Sequence, residues 1–437
     1  SWPHLIALGI GKGDRVALIA ETGPEFAALF CGAVYAGAWP VPLPLPTSFG
    51  GKEAYIDQLA VQLASSDPRI LFYPAEIAEM TKAAADRQGC EGMTWEDFAQ
   101  QAQSDADLPQ AQPDDICYLQ YSSGSTRFPH GVAVTHASLL NNLAGHSEGM
   151  KIQQSDRCIS WLPWYHDMGL VGCLLSLIAN QVSGDYLKPD AFARRPLAWL
   201  DMISRNPGNT LSYSPTFGYD ICARRISSQS NVAERFDLSR WRIAGNGADM
   251  IRPDVMQNFV NAFAPAGFRA SSFTPSYGLA EAVLAVTVMP PGEGIRVELV
   301  EEERLSGAPR DLSRPARYRA IVNCGKPIPG MEVEVRDEPA CLLLGELEAE
   351  FAGHFRSVED ALAQGADSLR GGADPPVHQV EMVGRLVHQE AAGLFLVAVP
   401  AAEIVGAVED VEVPGEVDRG DLPEAMPLGR PSLIPPG

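Results

Sequence analysis

The chain has 437 residues, 46% of them hydrophobic, enough for one large core or for about two to three domains. Its 55 acidic residues outnumber 33 basic ones, and the formal net charge is −22. Such a balance argues against nucleic acid as a partner, because phosphate-backbone binding needs a basic face, and anionic lipid headgroups would repel it too. The eight cysteines are scattered, with no C-x-x-C pair and no His/Cys cluster at metal-ligand spacing. Several fall inside apolar runs, as small core residues do in a reducing compartment. GLVGCLLSLIAN, the longest apolar stretch, is too short to cross a bilayer, and the N-terminus has no signal-peptide pattern, so a cytoplasmic protein without membrane insertion is expected. The start at Ser1, running directly into LGIGKGDRVALIA, reads as a chain that lacks its natural beginning.

RVALIA (15–20) reads as a buried strand and 25–38 as a helix. The helical YIDQLAVQLASS (55–66) precedes a strand, RILFYP (69–74). Strands are expected at 116–121 and from Gly131, after which Thr135 is placed to cap a helix. RCISWLP (157–163) leads to the apolar helix GLVGCLLSLIA, and NTLSYSPT (209–216) leads to FGYDICARRI. WRIA (241–244) leads through AGNGADM to a helix starting near Pro253. This β–α alternation predicts an α/β fold of layered sheets with flanking helices, largely parallel, with ligands at the carboxyl ends of strands. VNCGKPIPGMEVEVRDE (322–338) changes to short β runs, read as a small β subdomain. From Glu338 onward there are 18 Asp and Glu against five Arg, and no Lys, Tyr or Trp. Residues 338–437 read as an atypical, weakly structured acidic segment, with an ordinary acidic helical domain as the alternative.

The stretch YSSGSTRFPHGV (121–132) sets Ser122, Ser123, Gly124, Ser125 and Thr126 between two strands. Hydroxyls and amides on so unobstructed a loop can converge on an anion. It lacks the G-x-x-x-x-G-K-[ST] pattern of a P-loop, and an ordinary Ser/Gly turn is the competing reading. Its place at a strand end favours anion binding. Three further clusters follow. SWLPWYHDMGLVG puts His166 and Asp167 just past a strand, AGNGADM carries Asn246, Gly247 and Ala248, and PSYGLAEA sets Tyr277, Gly278 and Leu279 ahead of Glu281. Taken singly, these read as a cap pair, a turn and a solvated glutamate.

Together, in this order, they resemble the adenylate-forming (acyl-CoA synthetase) superfamily, whose phosphate motif corresponds to Tyr121–Val132 and whose Y-G-x-[AT]-E motif corresponds to YGLAE. PVPLPLP, SWLPWYHDMGLVG, DYLKPDAFARRPLAWL and SYSPTFGYDICARR narrow the resemblance to fatty acyl-AMP ligases, over Leu8 to about Asp337. It implies an adenylate-forming domain over 1–337. It further implies ATP-dependent, Mg²⁺-assisted activation of a fatty acid to its acyl-adenylate. The acyl group would then pass to the phosphopantetheine thiol of an acyl carrier protein or synthase carrier domain. In this reading Ser122–Thr126 hold the β- and γ-phosphates and Arg127 adds charge. Thr126, His166 and Glu281 stand at catalytic positions, with Glu281 as the Mg²⁺ ligand and His166 orienting the reacting carboxylate. Tyr277 packs on adenine, and Asn246, Gly247, Ala248, Gly278 and Leu279 line the nucleotide. Ser214 and Phe217 belong either to an acyl tunnel or to the core.

Two departures stand out. His130 replaces the family's Lys or Arg, which implies weaker phosphate contact there. Past Asp337 the family pattern is absent: no lysine follows Lys326, no lid domain is recognisable, and DRGDL, with Asp421, is only a distant match to the ribose-binding motif. A fatty acyl-CoA ligase is the nearest alternative, and a non-catalytic acyl- or nucleotide-binding remnant is one of a different class.

Overall fold

The computed structural model describes residues 2–46, 51–121, 131–226, 231–301 and 316–336, with backbone alone at 334–336, 382–385 and 395–399. The first sheet is wholly parallel. It contains β1 (Arg15–Ile19), β2 (Trp39–Leu43), β3 (Ile70–Tyr73) and β4 (Glu91–Thr94) in the order β2-β1-β3-β4. Alternate residues of its central strands supply two separate cores. Val16, Leu18, Ile70 and Phe72 pack with Phe26, Phe30, Trp95 and Tyr118, while Ala17, Ile19, Leu71 and Tyr73 pack with Leu59, Leu63 and Ala84. Helices on both faces explain why these strands read as unbroken apolar runs.

β5 (Ile116–Tyr121) and β6 (Gly131–Thr135) form an antiparallel pair. The segment joining them, with Ser122, Ser123, Gly124, Ser125, Thr126, Arg127 and His130, lies outside the described residues, as does Asp421. The helix His136–Gly149 follows at once, capped as its sequence predicts. Thr135 Oγ1 accepts the Ser138 N–H at 3.1 Å and Ser138 Oγ accepts the Thr135 N–H at 3.0 Å, a reciprocal box that satisfies two orphan donors.

The second sheet has a parallel body of β7 (Asp156–Ser160), β8 (Ser183–Tyr186), β9 (Asn209–Ser214), β10 (Trp241–Asn246) and β11 (Phe273–Gly278), in the order β8-β7-β9-β10-β11. β12 (Ala285–Val288) then runs antiparallel to β11. β13 (Val297–Glu301) and β14 (Tyr318–Val322) pair with each other, and β15 (Lys326–Pro327) closes the large sheet against β12. Aromatic rings fill the space under it. Trp199, Tyr219, Trp241, Phe259 and Phe273 meet largely edge to face, with the Trp199 indole N–H donating to Ser212 Oγ at 2.8 Å. β16 (Glu332–Arg336) pairs with β18 (Phe395–Val399), which pairs with β17 (Met382–Arg385). Among the described residues, the segment 322–338 is therefore divided between three sheets, with Val322 ending β14, and two short strands come from 338–437.

One element differs from its sequence reading. The run expected as a plain helix is π-helical over Met168–Leu175, where Ser176 N–H donates to Val171 O five residues back, before an α-helical turn at Ser176–Asn180. All eight π-helical residues are buried. A run apolar on every side satisfies any helical period, so its pattern carries no information about which one forms. No helix among the described residues is long and apolar enough to cross a membrane.

Candidate active site

The carboxyl ends of β9, β10 and β11 lie side by side, with Asn246 paired to Ser214 on one flank and to Pro275 on the other. Asn246 is fully buried. Its Nδ2 donates to Ser214 O at 3.0 Å, while its Oδ1 has no partner among the described residues. A buried acceptor without a donor is costly in a finished core and is expected where a ligand completes the site. Next to it, a Cβ on Gly247 would lie 3.0 Å from both Ser276 O and Ser276 Oγ, so the chain passes this point closely. Ala248 then takes φ +66°, a left-handed conformation unfavourable for alanine, and turns outward to solvent. Asp249 accepts the Thr216 N–H at 2.8 Å and Thr216 Oγ1 donates to Met250 O at 3.0 Å, which ties this turn to the start of the helix Thr216–Ile226. The sequence reading left out Asp249 and Thr216. The orphan N–H groups at that helix start were the available signal.

Ser214 is buried, with Oγ donating to Pro215 O at 2.9 Å. Phe217 is 51% exposed and meets the edge of Trp161, which in turn stacks on Phe192 at 3.8 Å. Of the two residues read as tunnel or core, Phe217 thus stands at an aromatic rim outside the packed interior.

His166 follows β7 in a turn held from two directions. Its Nδ1 lies 2.7 Å from Asp167 Oδ1, which also accepts the Met168 N–H at 2.6 Å. The preceding carbonyl, of Tyr165, accepts from Gln120 Nε2 at 2.7 Å. Gln120 is fully buried two residues before the hydroxyl loop begins, so one amide joins the strand feeding that loop to the histidine turn. Burial pushes the His166 pKa down, but the hydrogen bond and charge of Asp167 outweigh it and leave it above the ordinary value. With Nδ1 committed to Asp167, Nε2 is the nitrogen available to a ligand.

Tyr277, Gly278 and Leu279 are half-buried at the end of β11, where the pairing with β12 slips by one residue between Tyr277 and Gly278. Burial, and then the nearby Glu281 charge, raise the Tyr277 phenol pKa. A Cβ on Gly278 would fall 1.8 Å from Leu284 O, so no side chain fits there. Leu279 N–H donates to that same carbonyl at 2.9 Å, closing a turn with Glu281 on its short 3₁₀ segment, Ala280–Ala282. Glu281 is half-buried and has no hydrogen bond or ion pair among the described residues. Among those residues no group of three or more His, Cys, Asp or Glu gathers. One free carboxylate suits Mg²⁺, a hard cation that keeps waters and is usually held by one or two carboxylates plus substrate phosphates. The donor set therefore fits that ion.

A family model described as AMP-binding enzyme matches residues 3–347, and the chain belongs to that family. A Caulobacter vibrioides protein provisionally named an acyl-CoA synthetase is 45% identical over 345 residues, covering 78% of this chain and 59% of that protein. The medium-chain fatty acid–acyl-carrier-protein ligase JamA of Moorena producens is 32% identical over 75% of this chain and 56% of its own length. The chain thus spans somewhat more than half the length of these relatives. Among solved structures, one from studies of the fatty acyl-adenylate ligases of E. coli and L. pneumophila superposes with a TM-score of 0.72. It is 40% identical, over 77% of this chain and 61% of the other. An L. pneumophila fatty acyl-adenylate ligase in complex with acyl adenylate and pyrophosphate gives 0.67, with 32% identity over 77% and 58%.

Proposed function

We propose that this chain activates a fatty acid as its acyl-adenylate, consuming ATP and releasing pyrophosphate. The observation that carries the reading is the set of groups at the ends of β10 and β11: the half-buried Tyr277, with Asn246 Oδ1 and the Glu281 carboxylate, which have no partner among the described residues. The likeness to ligases that form acyl-adenylates supports it. A carboxylate oxygen of the fatty acid attacks the α-phosphorus in line, the new P–O bond forms, and the bond to pyrophosphate breaks. Such a reaction asks mainly for positioning and for neutralisation of phosphate charge. Asn246 Oδ1 accepts a hydrogen bond from the base, with Gly247, Ala248, Gly278 and Leu279 along the nucleotide and Tyr277 packed on it. His166 presents Nε2 to the acyl carboxylate and α-phosphate; the carboxylate is already ionised, so no proton need be abstracted. Ser122, Ser123, Gly124, Ser125, Thr126 and Arg127 are proposed to contact the β- and γ-phosphates. Glu281 holds Mg²⁺, which when bound neutralises charge on the departing pyrophosphate. Phe217 receives the acyl chain at the aromatic rim, and the buried Ser214 lines its path in this reading.

The proposed acceptor is the phosphopantetheine thiol of a carrier protein, the partner class that JamA's name gives. Coenzyme A is the second reading, favoured by the naming of the Caulobacter relative. Residues 1–337 form the adenylating part in this reading, 338–437 a separate acidic part, and the protein works in the cytoplasm. ATP–pyrophosphate exchange across a panel of fatty acids tests the proposal. Exchange that requires both a fatty acid and Mg²⁺ is the expected outcome, whereas nucleotide binding without exchange at any chain length would establish a binding protein instead.

A further inference from the structure

The turn bearing Glu281 is closed by three backbone hydrogen bonds, from Leu279 N–H to Leu284 O, Ala282 N–H to Leu279 O and Val283 N–H to Ala280 O, yet it holds a strained residue. Val283, two residues on, has φ +69° and ψ −54° and is 4% exposed. That is a γ-turn of the strained hand, and a β-branched residue tolerates it poorly because the branched Cβ crowds its own backbone. Strain of this kind persists only where surroundings over-determine the conformation. Here one side chain from a distant part of the sequence adds to the turn's own backbone bonds and to the packing of Val283 in the core. Asn142, on the helix His136–Gly149 and 4% exposed, donates from Nδ2 to Ala282 O at 2.9 Å and to Ala285 O at 2.8 Å, and its Oδ1 accepts the Ala285 N–H at 3.2 Å. Two carbonyls at one end and an N–H at the other fix which end is nitrogen, and no other side chain of this size offers both roles at once. The three bonds bracket Val283 and close the backbone that begins at Glu281.

We propose that Asn142 is a positioning residue: it clamps the strained turn and so fixes where the Glu281 carboxylate points. This rests on the adenylating reading for its catalytic consequence, but the clamp itself is a statement about the turn alone. The helix carrying Asn142 begins directly after β6, so the strand leaving the hydroxyl loop and the glutamate turn are joined through a single rigid element. Glycine reaches the Val283 conformation without the Cβ penalty, so Val283→Gly should lessen the need for a clamp.

Hydrogen–deuterium exchange and ATP–pyrophosphate exchange are measured together on the wild type, Asn142→Ala, Asn142→Ala/Val283→Gly, Glu281→Gln and Asn142→Ala/Glu281→Gln. Amides of 279–285 should lose protection in Asn142→Ala while the sheets keep theirs, and the Val283→Gly partner should restore part of it. Catalytic turnover should fall about 10- to 100-fold, as misplacement of a catalytic group does. Half-saturating Mg²⁺ should rise, with the fatty acid KM little changed. In the Glu281→Gln background the turnover loss from Asn142→Ala should largely disappear, because both changes remove the same contribution. Should Asn142→Ala fail to fold, Asn142→Ser, which keeps one short donor and acceptor, takes its place in every comparison. Unchanged protection of 279–285, or an equally large turnover loss with and without Glu281, would overturn the proposal. A wild type without exchange activity would refute the adenylating reading, and the protection of 279–285 would still decide for or against the clamp.

Discussion

His146 lies on the same helix as Asn142, 2% exposed, with Nδ1 3.3 Å from Ser176 Oγ and its ring against Tyr213. Burial lowers its pKa from 6.5 to about 4. Between those values the unfolded chain holds a proton that the folded chain does not, so protons favour unfolding and stability rises with pH across the window. Acidification from pH 6.5 towards 4 should therefore cost stability, with a slope from this residue approaching about 1.4 kcal/mol per pH unit. His146→Gln removes the titration, and denaturant midpoints taken from pH 7 to 4.5 should show a shallower decline than in the wild type. Glu281 makes a different kind of prediction, because it has no hydrogen bond or ion pair among the described residues. Glu281→Gln should leave the melting temperature nearly unchanged yet raise the Mg²⁺ needed for half-maximal exchange by about tenfold, equivalent to one interaction of about 1.4 kcal/mol. A Mg²⁺ titration at saturating ATP and fatty acid reads this directly, and an unchanged curve would remove Glu281 from the metal site.

Among the elements, the π-helix Met168–Leu175 does the most joining. Leu170, Val171, Leu174 and Leu175 share one core with Val16, Leu18, Ile70 and Phe72 of the first sheet, while Met168 and Cys173 belong to the core of the second. The ion pair Lys188–Glu21 also links residues just past β8 and β1, at 2.5 Å, but the lysine is 56% exposed. Exposed pairs contribute about 0–1 kcal/mol, whereas truncating a buried leucine costs about 2–5 kcal/mol. Leu170→Ala should thus lower the unfolding free energy by several times the effect of Lys188→Ala, as chemical denaturation of the two variants will show. None of this joining was legible in the sequence, because an apolar run declares that it is buried and not what it is buried between. Other elements were legible for stated reasons. Thr135 three residues before Ser138, and Pro253 at the first position of the helix Pro253–Phe263, are local chemistry that needs no tertiary information. Asn246 could be read because it ends the strand that the apolar run WRIA opens, and Tyr277 and Glu281 because YGLAE is a contiguous motif. Asn142 could not, since its partners lie 140 and 143 residues away and only the folded backbone brings them within reach.

At the scale of the whole molecule, a parallel sheet and a larger mixed one divide the labour. The second places Asn246, Tyr277 and, past β7, His166 along one carboxyl edge, and its antiparallel strand β12 makes the reversal on which Glu281 sits. The first takes all four of its strands from residues 15–94. One of its faces is covered mainly by the helices Lys52–Ser66 and Ala78–Gln88, with Tyr121 of β5 joining that core. The other is roofed by the helix Pro24–Tyr35 together with Leu5, Ile10, Trp95 and Phe98, and the rest of its cover comes from 117–175 and Val283. During synthesis the ribosome therefore releases a sheet with one side nearly covered while the core around Val16, Leu18 and Ile70 still lacks its share of 117–175. At about 5–20 residues per second, the 81 residues from 95 to 175 take roughly 4 to 16 seconds to appear. For that interval the nascent chain presents an apolar surface suited to a chaperone or to a neighbouring nascent chain. Its folding yield should depend on how quickly the π-helical segment emerges.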